Sequence, residues 1–182
     1  MLELTYKKFP ILETQRLKLR ALTMDDVPVL YEMRTNPLMI RYTDRAKLQT
    51  MEEAVDKMKL ILDNVEKRDS LAWAIELKES KKQIGDISFW RFEKEHYRAE
   101  IGYSLLPDYW DKGYMREAAR CAIDYGFSIC NIHSIEANVN PNNAASIKLL
   151  EKLNFVREAY YKENFYYNGK FLDSAVYSLL NH

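Results

Sequence analysis

YRAEIGYSLLPDYWDKGYMREAAR, residues 97–120, is the stretch of sequence that decides the fold and the candidate site. A strand pattern ends before Pro107, and a helical pattern starts directly after Gly113. The first N–H groups of a helix lack intrahelical partners and lie at the positive end of its dipole, so a diphosphate is a natural ligand there. Gly113 has no Cβ and lets a phosphate approach the backbone closely. A plain strand-to-helix turn explains the same glycine, and spacing alone does not separate the two interpretations.

After this stretch, hydrophobic periodicity predicts a helix, a strand, a short helix and two aromatic-rich strands. These elements lie at residues 113–130, 133–140, 144–153, 155–167 and 170–180. The apolar positions of the first helix share one face, where small residues allow close packing against a sheet. Asn168-Gly169, between the last two strands, is a strong signal for a β-hairpin.

Before this stretch, the same reasoning predicts a strand, two helices and a three-stranded antiparallel meander. They span residues 12–22, 24–34, 51–68, 71–78, 83–92 and 97–106. Thr23 is the expected N-cap of the first helix, and Pro37 is expected to break it. Elements in this order predict an α/β (α+β) fold with a mixed, mostly antiparallel central sheet of about six to seven strands, flanked by about four helices.

Composition narrows the classes of function. The chain has 182 residues, of which 47% are apolar and 30% charged, so we expect a single domain over residues 1–182 with its core at about 12–180. Its 27 basic and 27 acidic residues cancel, so no overall field steers nucleic acid or an anionic membrane toward the molecule. The longest apolar runs, such as residues 60–62, fall far short of the ~18–20 residues that a membrane span needs.

The cysteines and histidines favour a cytoplasmic protein without a metal. If Cys121 and Cys130 share one helix, their spacing places them on opposite sides, and they cannot form a disulfide. With no disulfide framework and no secretory signal, a reducing cytosol is the default compartment. The 3 histidines match no zinc-binding spacing, so we expect no metal site.

Several separated motifs resemble one known family. They are T-x-R-L-x-L-R at 14–20, A-E-I-G-Y at 99–103, Y-W-D-K-G-Y-M-x-E-A at 109–118, N-x-x-S-x-x-L-L-E-K-L-x-F at 143–155 and N-G-x-F-x-D at 168–173. Together they resemble the GNAT acetyltransferases, and within them the branch of ribosomal-protein N-terminal acetyltransferases. The resemblance covers the chain from about residue 12 onward, which is more specific than one glycine loop.

The resemblance implies acetyl-CoA as cosubstrate, with its diphosphate at a loop over 111–116. It implies that the pantetheine arm lies in a splayed gap between strands 97–106 and 133–140. The residues it implies for cofactor binding are Leu105, Lys112, Gly113, Tyr114, Met115, Arg116, Asn143 and Ser146. Many members of the family have glycine where this chain has Asp111 and Asn154. Asp111 brings a negative charge near the implied diphosphate, and we expect its side chain to face solvent.

Two residues are candidates for the proton transfers that acetylation of an amine requires. Glu100 stands in a mostly apolar strand, where burial raises a carboxyl pKa and suits it as a base. Strand alternation also allows Glu100 to face solvent. The resemblance makes Ser146 the acid that protonates the leaving thiolate, whereas a serine in a first helical turn also often bonds to the backbone. The tyrosine that many GNAT enzymes use as acid is Leu150 here. Relatives sometimes carry a carboxylate near Phe165, and this chain has Glu163 nearby.

The sequence therefore predicts an acetyl-CoA-dependent N-acetyltransferase that acts by direct transfer in a ternary complex. The first expected acceptor is a protein N-terminus, and a small-molecule amine (polyamine, amino acid or antibiotic) is the alternative. Loops at 34–50 and 156–170 are expected to decide between them. A non-catalytic acyl-CoA-binding module is an alternative from another class. The aromatic-rich C-terminal strands offer a surface for pairing in a homodimer or higher homo-oligomer.

Overall fold

The computed structural model describes residues 1–43 and 46–181. Its strands are β1 (Leu12–Glu13), β2 (Leu17–Ala21), β3 (Leu71–Leu77), β4 (Gln83–Glu93), β5 (Arg98–Leu105), β6 (Ser134–Val139), β7 (Val156–Tyr167) and β8 (Lys170–Leu180). Its α-helices are α1 (Val27–Thr35), α2 (Pro37–Ile40), α3 (Met51–Glu66), α4 (Tyr114–Ser128) and α5 (Ala144–Lys152). The strands of the described residues form one eight-stranded sheet in the order β1-β2-β3-β4-β5-β6-β8-β7. The expected mixed, mostly antiparallel sheet is confirmed.

Helices cover both faces of the sheet and bury its apolar residues. On one face, α4 and α5 pack over a large core that contains Trp73, Phe89 and Ile123, none of them exposed. On the other face, Leu30 of α1 and Met58 of α3 pack against small residues of β3. Because side chains alternate along a strand, each residue of the central strands belongs to one of these two layers.

The predicted strand over 12–22 is divided in the structure. Thr14 closes a tight turn, in which its Oγ1 accepts the N–H of Leu17 at 2.9 Å and its own N–H donates to the Leu17 carbonyl at 3.0 Å. The chain therefore folds back, and β1 pairs antiparallel with β2. This division adds one strand to the six or seven that the sequence predicts.

The region after Thr23 also differs from the prediction. A 3₁₀ turn at Met24–Asp26 precedes α1, and the Asp26 carboxylate accepts the backbone N–H of Thr23 at 2.8 Å. Pro37 does separate two helices, but it also starts α2, because proline suits the first helical turn, where its missing N–H has no intrahelical partner. Asn36 caps this short helix by accepting the N–H of Leu38 at 3.0 Å. The described chain thus has five α-helices where about four are expected.

The central strands set up the site. β3, β4 and β5 form the predicted antiparallel meander, and α4 then crosses over the sheet, so that β6 returns parallel to β5. The pairing of β5 with β6 runs from Arg98↔Ser134 to Glu100↔Glu136 among the described residues. Beyond these positions no pair among the described residues joins the two strands, at the place where the resemblance implies a gap.

The C-terminal hairpin forms at the predicted turn. Asn168 and Gly169 have φ of 48° and 79°, which suits a two-residue hairpin turn. β8 inserts next to β6, so β7 becomes an edge strand and exposes Tyr161, Phe165 and Tyr166. A homo-oligomer through this edge remains a prediction. None of the described helices combines the length and the apolar character that spanning a bilayer requires.

Candidate active site

A cavity of about 360 Å³ opens where β5 and β6 diverge. It extends across the sheet face that lies under α1 and α3, and these helices contribute Arg34 and Lys57 to its lining. Polar side chains of the strand floor that line it include Asp86, Ser88, Glu100, Ser104 and Asn138. α5 and its cap contribute Asn143 and Ser146. The cavity therefore joins the gap between the strands to a polar chamber under the helices.

Glu100 is buried in this cavity, with 10% of its side chain exposed. Strand alternation places it opposite Ala99 and Ile101, but α1 and α3 cover that face, so Glu100 is buried and the alternative of a solvated side chain does not hold. A β-bulge in β4 gives Arg91 a φ of 48°. Bulges redirect side chains, and Arg91 Nη1 lies 3.1 Å from Glu100 Oε2. The guanidinium compensates the charge of the buried carboxylate.

Ser146 lies in the first turn of α5, where Asn143 is the N-cap. The Asn143 Oδ1 accepts the backbone N–H of Ser146 at 3.1 Å, which fixes the start of the helix. The Ser146 Oγ lies 2.7 Å from the hydroxyl of Tyr103. The Ser146 hydroxyl is thus directed across the gap between β5 and α5, instead of bonding to the backbone of its own helix.

Tyr103 is a residue of this site that the sequence analysis does not single out. It belongs to the A-E-I-G-Y motif, and strand alternation already assigns it to the face of β5 that meets α4 and α5. Burial raises the pKa of Tyr103 to about 12, although the hydrogen bond to Ser146 acts in the opposite direction. The phenol is therefore protonated at neutral pH. The hydroxyl of Tyr103 reaches the gap from the strand β5. On α5, where many GNAT enzymes have a tyrosine, this chain has Leu150.

The N-terminus of α4 has the geometry that the sequence predicts. Gly113 is the N-cap, with a left-handed φ of 78°, and no described side chain caps this end of the helix. The first helical hydrogen bond runs from the Glu117 N–H to the Gly113 carbonyl at 3.1 Å. The N–H groups of residues 114–116 precede that bond and are available to an anion. Tyr114 is half-buried, Met115 is buried and Arg116 is exposed.

Lys112 and Leu105, which the resemblance implies for cofactor binding, make hydrogen bonds within the protein. The Lys112 Nζ donates to the Asp108 carbonyl at 2.8 Å, on the side of the 3₁₀ turn at Pro107–Tyr109. The carbonyl of buried Leu105 accepts the indole N–H of Trp110 at 2.6 Å. Both contacts stabilise the connection from β5 to α4.

The two departures from the family pattern fall at left-handed backbone positions. Asp111 has a φ of 58° and Asn154 a φ of 69°. Glycine adopts such angles without strain, which explains its frequency in relatives at both positions, and Asp and Asn are the residues that tolerate them best. The Asp111 side chain is exposed, as expected.

The structure brings Glu100, Asn143 and Ser146 to one cavity. Glu163, the other carboxylate considered as a base, is not among the residues that line it. Glu163 and Phe165 are exposed on β7. Part of the predicted acceptor loop over 34–50 lines the cavity, and its residues 44–45 lie outside the described residues. Among the described residues, no group of three or more histidine, cysteine, aspartate or glutamate side chains is arranged to hold a metal ion.

Comparison with known proteins defines the class. Residues 16–156 match a family model described as an acetyltransferase (GNAT) domain, which makes this protein an acyltransferase. The chain belongs to the GNAT acetyltransferase family.

Relatives and solved structures agree on the family and differ in acceptor. The chain is 34% identical over 172 residues to the uncharacterized N-acetyltransferase YoaA of Bacillus subtilis (strain 168), covering 94% of this chain and 97% of that one. It is similar to the ribosomal-protein-S5-alanine acetyltransferase of Vibrio fischeri (TM-score 0.81, 26% identity, 94% and 97% coverage). It is equally similar to the spermidine N-acetyltransferase of Vibrio cholerae in complex with CoA and spermine (TM-score 0.81, 25% identity, 92% and 96% coverage).

Proposed function

We propose that this protein transfers the acetyl group of acetyl-CoA to an amine, and that the acceptor is a protein N-terminus. The observation that carries the proposal is the meeting of Glu100 and the Tyr103–Ser146 hydroxyl pair in one cavity, at the point where β5 and β6 part. A carboxylate that accepts a proton and a hydroxyl that donates one are the two groups that amine acetylation requires.

The cofactor would bind at the N-terminus of α4 and in the gap between β5 and β6. Its diphosphate would lie against the N–H groups of residues 114–116, at the positive end of the α4 dipole. Its pantetheine arm would run along the gap toward Asn143 and Ser146, which line the cavity. Acetyl-CoA would then supply an activated thioester at the mouth of the chamber that contains Glu100.

The proton transfers follow from the positions of the side chains. Glu100 accepts a proton from the incoming ammonium, directly or through a water, and the neutral amine attacks the thioester carbon. As the carbon–sulfur bond breaks, Ser146 passes its hydroxyl proton to the thiolate and regains one from the nitrogen of the tetrahedral intermediate, which becomes the neutral amide. In this proposal the protonated phenol of Tyr103 is the donor to the Ser146 Oγ, 2.7 Å away, so that the serine proton can point toward the sulfur.

The charges around the chamber favour an acceptor with one ammonium group. Asp86 and Glu100 on the strands are balanced by Arg34 and Lys57 on the covering helices, so these four side chains give no excess of negative charge for an acceptor with several cations. A peptide N-terminus has one ammonium followed by neutral amides, and a polyamine carries several cations. The likeness to a spermidine acetyltransferase still makes a polyamine the second candidate acceptor.

The test is turnover of acetyl-CoA, measured as thiol release, with a panel of N-terminal peptides, polyamines and amino acids. We expect peptides to be the best acceptors, and stronger activity on polyamines would reverse that order.

Glu100→Gln should lower kcat by about 10²–10⁴-fold without changing the Kd for CoA. Glu163→Gln, which removes the alternative base, is the matched control and should leave the rate unchanged. CoA binding without turnover of any amine would contradict the proposed chemistry and favour a binding module.

A further inference from the structure

The turn between β1 and β2 reaches the N-terminus of α4, far away in the sequence. The Arg16 Nε lies 2.7 Å from Glu117 Oε2, and the Arg16 backbone N–H donates to Glu117 Oε1 at 2.9 Å. The Thr14 hydroxyl donates to the same Oε1 at 2.5 Å. The Arg16 Nη1 donates to the Lys112 carbonyl at 3.0 Å. One arginine therefore contacts both the loop before α4 and the first turn of that helix.

Glu117 explains why such a contact matters for an anionic ligand. It is an acidic residue in the first turn of α4. A carboxylate there suits the helix dipole, but it would repel a diphosphate bound to the same end. Thr14 and Arg16 hold both carboxylate oxygens on the side of the β1–β2 turn, and the guanidinium neutralises their charge. The terminus can then receive another anion.

Arg16 also fixes the backbone that precedes the helix. Lys112 lies between Asp111 and Gly113, both left-handed, with φ of 58° and 78°. Because the Lys112 carbonyl accepts a hydrogen bond from Arg16, this unusual backbone is held in one orientation, which in turn sets the direction of the N–H groups that follow. The guanidinium also lies over the ring of Tyr114, 4.3 Å from its centroid.

We infer that Arg16 is a positioning residue for the diphosphate-binding loop of this enzyme. The inference rests on the proposed use of acetyl-CoA. It gives the motif T-x-R-L-x-L-R at 14–20 a role, since its threonine and arginine bind the glutamate of Y-W-D-K-G-Y-M-x-E-A at 109–118.

The experiment compares two acetyl donors that share the thioester and differ in the diphosphate. In Arg16→Gln we expect the KM for acetyl-CoA to rise about tenfold at unchanged kcat, as for loss of one charge-assisted contact. S-acetylpantetheine lacks the diphosphate, so its kcat/KM should stay within about twofold of the wild-type value, less than the effect of a typical lost hydrogen bond. Arg120→Gln, which removes an exposed arginine from α4, is the matched control. Arg16→Lys should recover part of the affinity, because lysine keeps the charge but not the planar fork.

Calorimetry with CoA separates the possible failures. We expect the wild type to bind CoA and Arg16→Gln to bind it about tenfold more weakly. Equal binding by both proteins, or equal losses of activity with both donors, would overturn the role of Arg16 and leave the proposed function standing. A wild type that binds no CoA would overturn both. If Arg16→Gln does not fold, as judged by circular dichroism, Arg16→Lys gives the same comparison of donors.

Discussion

Removal of one hydroxyl tests how Ser146 is held at the site. Tyr103→Phe keeps the buried ring and deletes the oxygen that lies 2.7 Å from the Ser146 Oγ. A neutral hydrogen bond of this kind contributes about 0.5–1.5 kcal/mol. At about 1.4 kcal/mol per factor of ten, its loss corresponds to a ~2–12-fold decrease in rate. We expect kcat to fall by about fivefold, with the KM for acetyl-CoA unchanged, because Tyr103 acts on the proton donor and not on cofactor binding.

A double-mutant cycle with Ser146→Ala shows whether the tyrosine acts through the serine. Thiol release is followed in single turnovers at saturating acetyl-CoA, with the best acceptor from the panel. If Tyr103 only orients Ser146, the double variant should be no slower than Ser146→Ala alone. Tyr125→Phe is the control, since Tyr125 lies on α4 outside the cavity lining. Fully additive losses, or an unchanged kcat in Tyr103→Phe, would refute the reasoning.

Three further predictions concern stability and cofactor affinity. In Gly85→Ala, the new Cβ would lie 2.2 Å from the Ser104 carbonyl oxygen, so we expect a loss of about 1–3 kcal/mol in urea unfolding, whereas Gly102→Ala, with contacts of 3.5 Å or more, should lose much less. Asp111→Gly removes backbone strain and a negative charge beside the proposed diphosphate loop, so the KM for acetyl-CoA should fall ~2–5-fold in steady-state assays. Burial raises the pKa of Tyr125 to about 12. The folded state therefore keeps a proton that the unfolded chain releases near pH ~10, and the unfolding free energy should fall between pH ~10 and ~12, less steeply in Tyr125→Phe.

Hydrophobic periodicity predicts most elements of this fold, because burial on one face leaves a direct record in the sequence. The helix α3 and the meander of β3, β4 and β5 follow their predicted positions closely. The division of the strand over 12–22 escapes the same reasoning, since a threonine turn with Thr14 leaves the apolar alternation almost unchanged.

The site was less accessible to prediction, because its contacts join distant parts of the chain. Alternation correctly separates Glu100 from Ala99, but whether its face is solvated depends on the packing of α1 and α3. The contact of Tyr103 with Ser146 spans 43 positions and that of Arg16 with Glu117 spans 101, and no local pattern encodes either of them.

The short pairing between β5 and β6 has a mechanical consequence. β1–β5 and β6–β8 form two parts of the sheet, and among the described residues the pairs that join them end at Glu100. A small rotation of one part relative to the other would move the unpaired ends of β5 and β6 most and the paired residues least. The proposed base would therefore lie close to the axis of such a rotation, and the proposed acid, on α5, would lie farther from it. The hydrogen bond between Tyr103 and Ser146 would then limit that movement, because it joins β5 to α5.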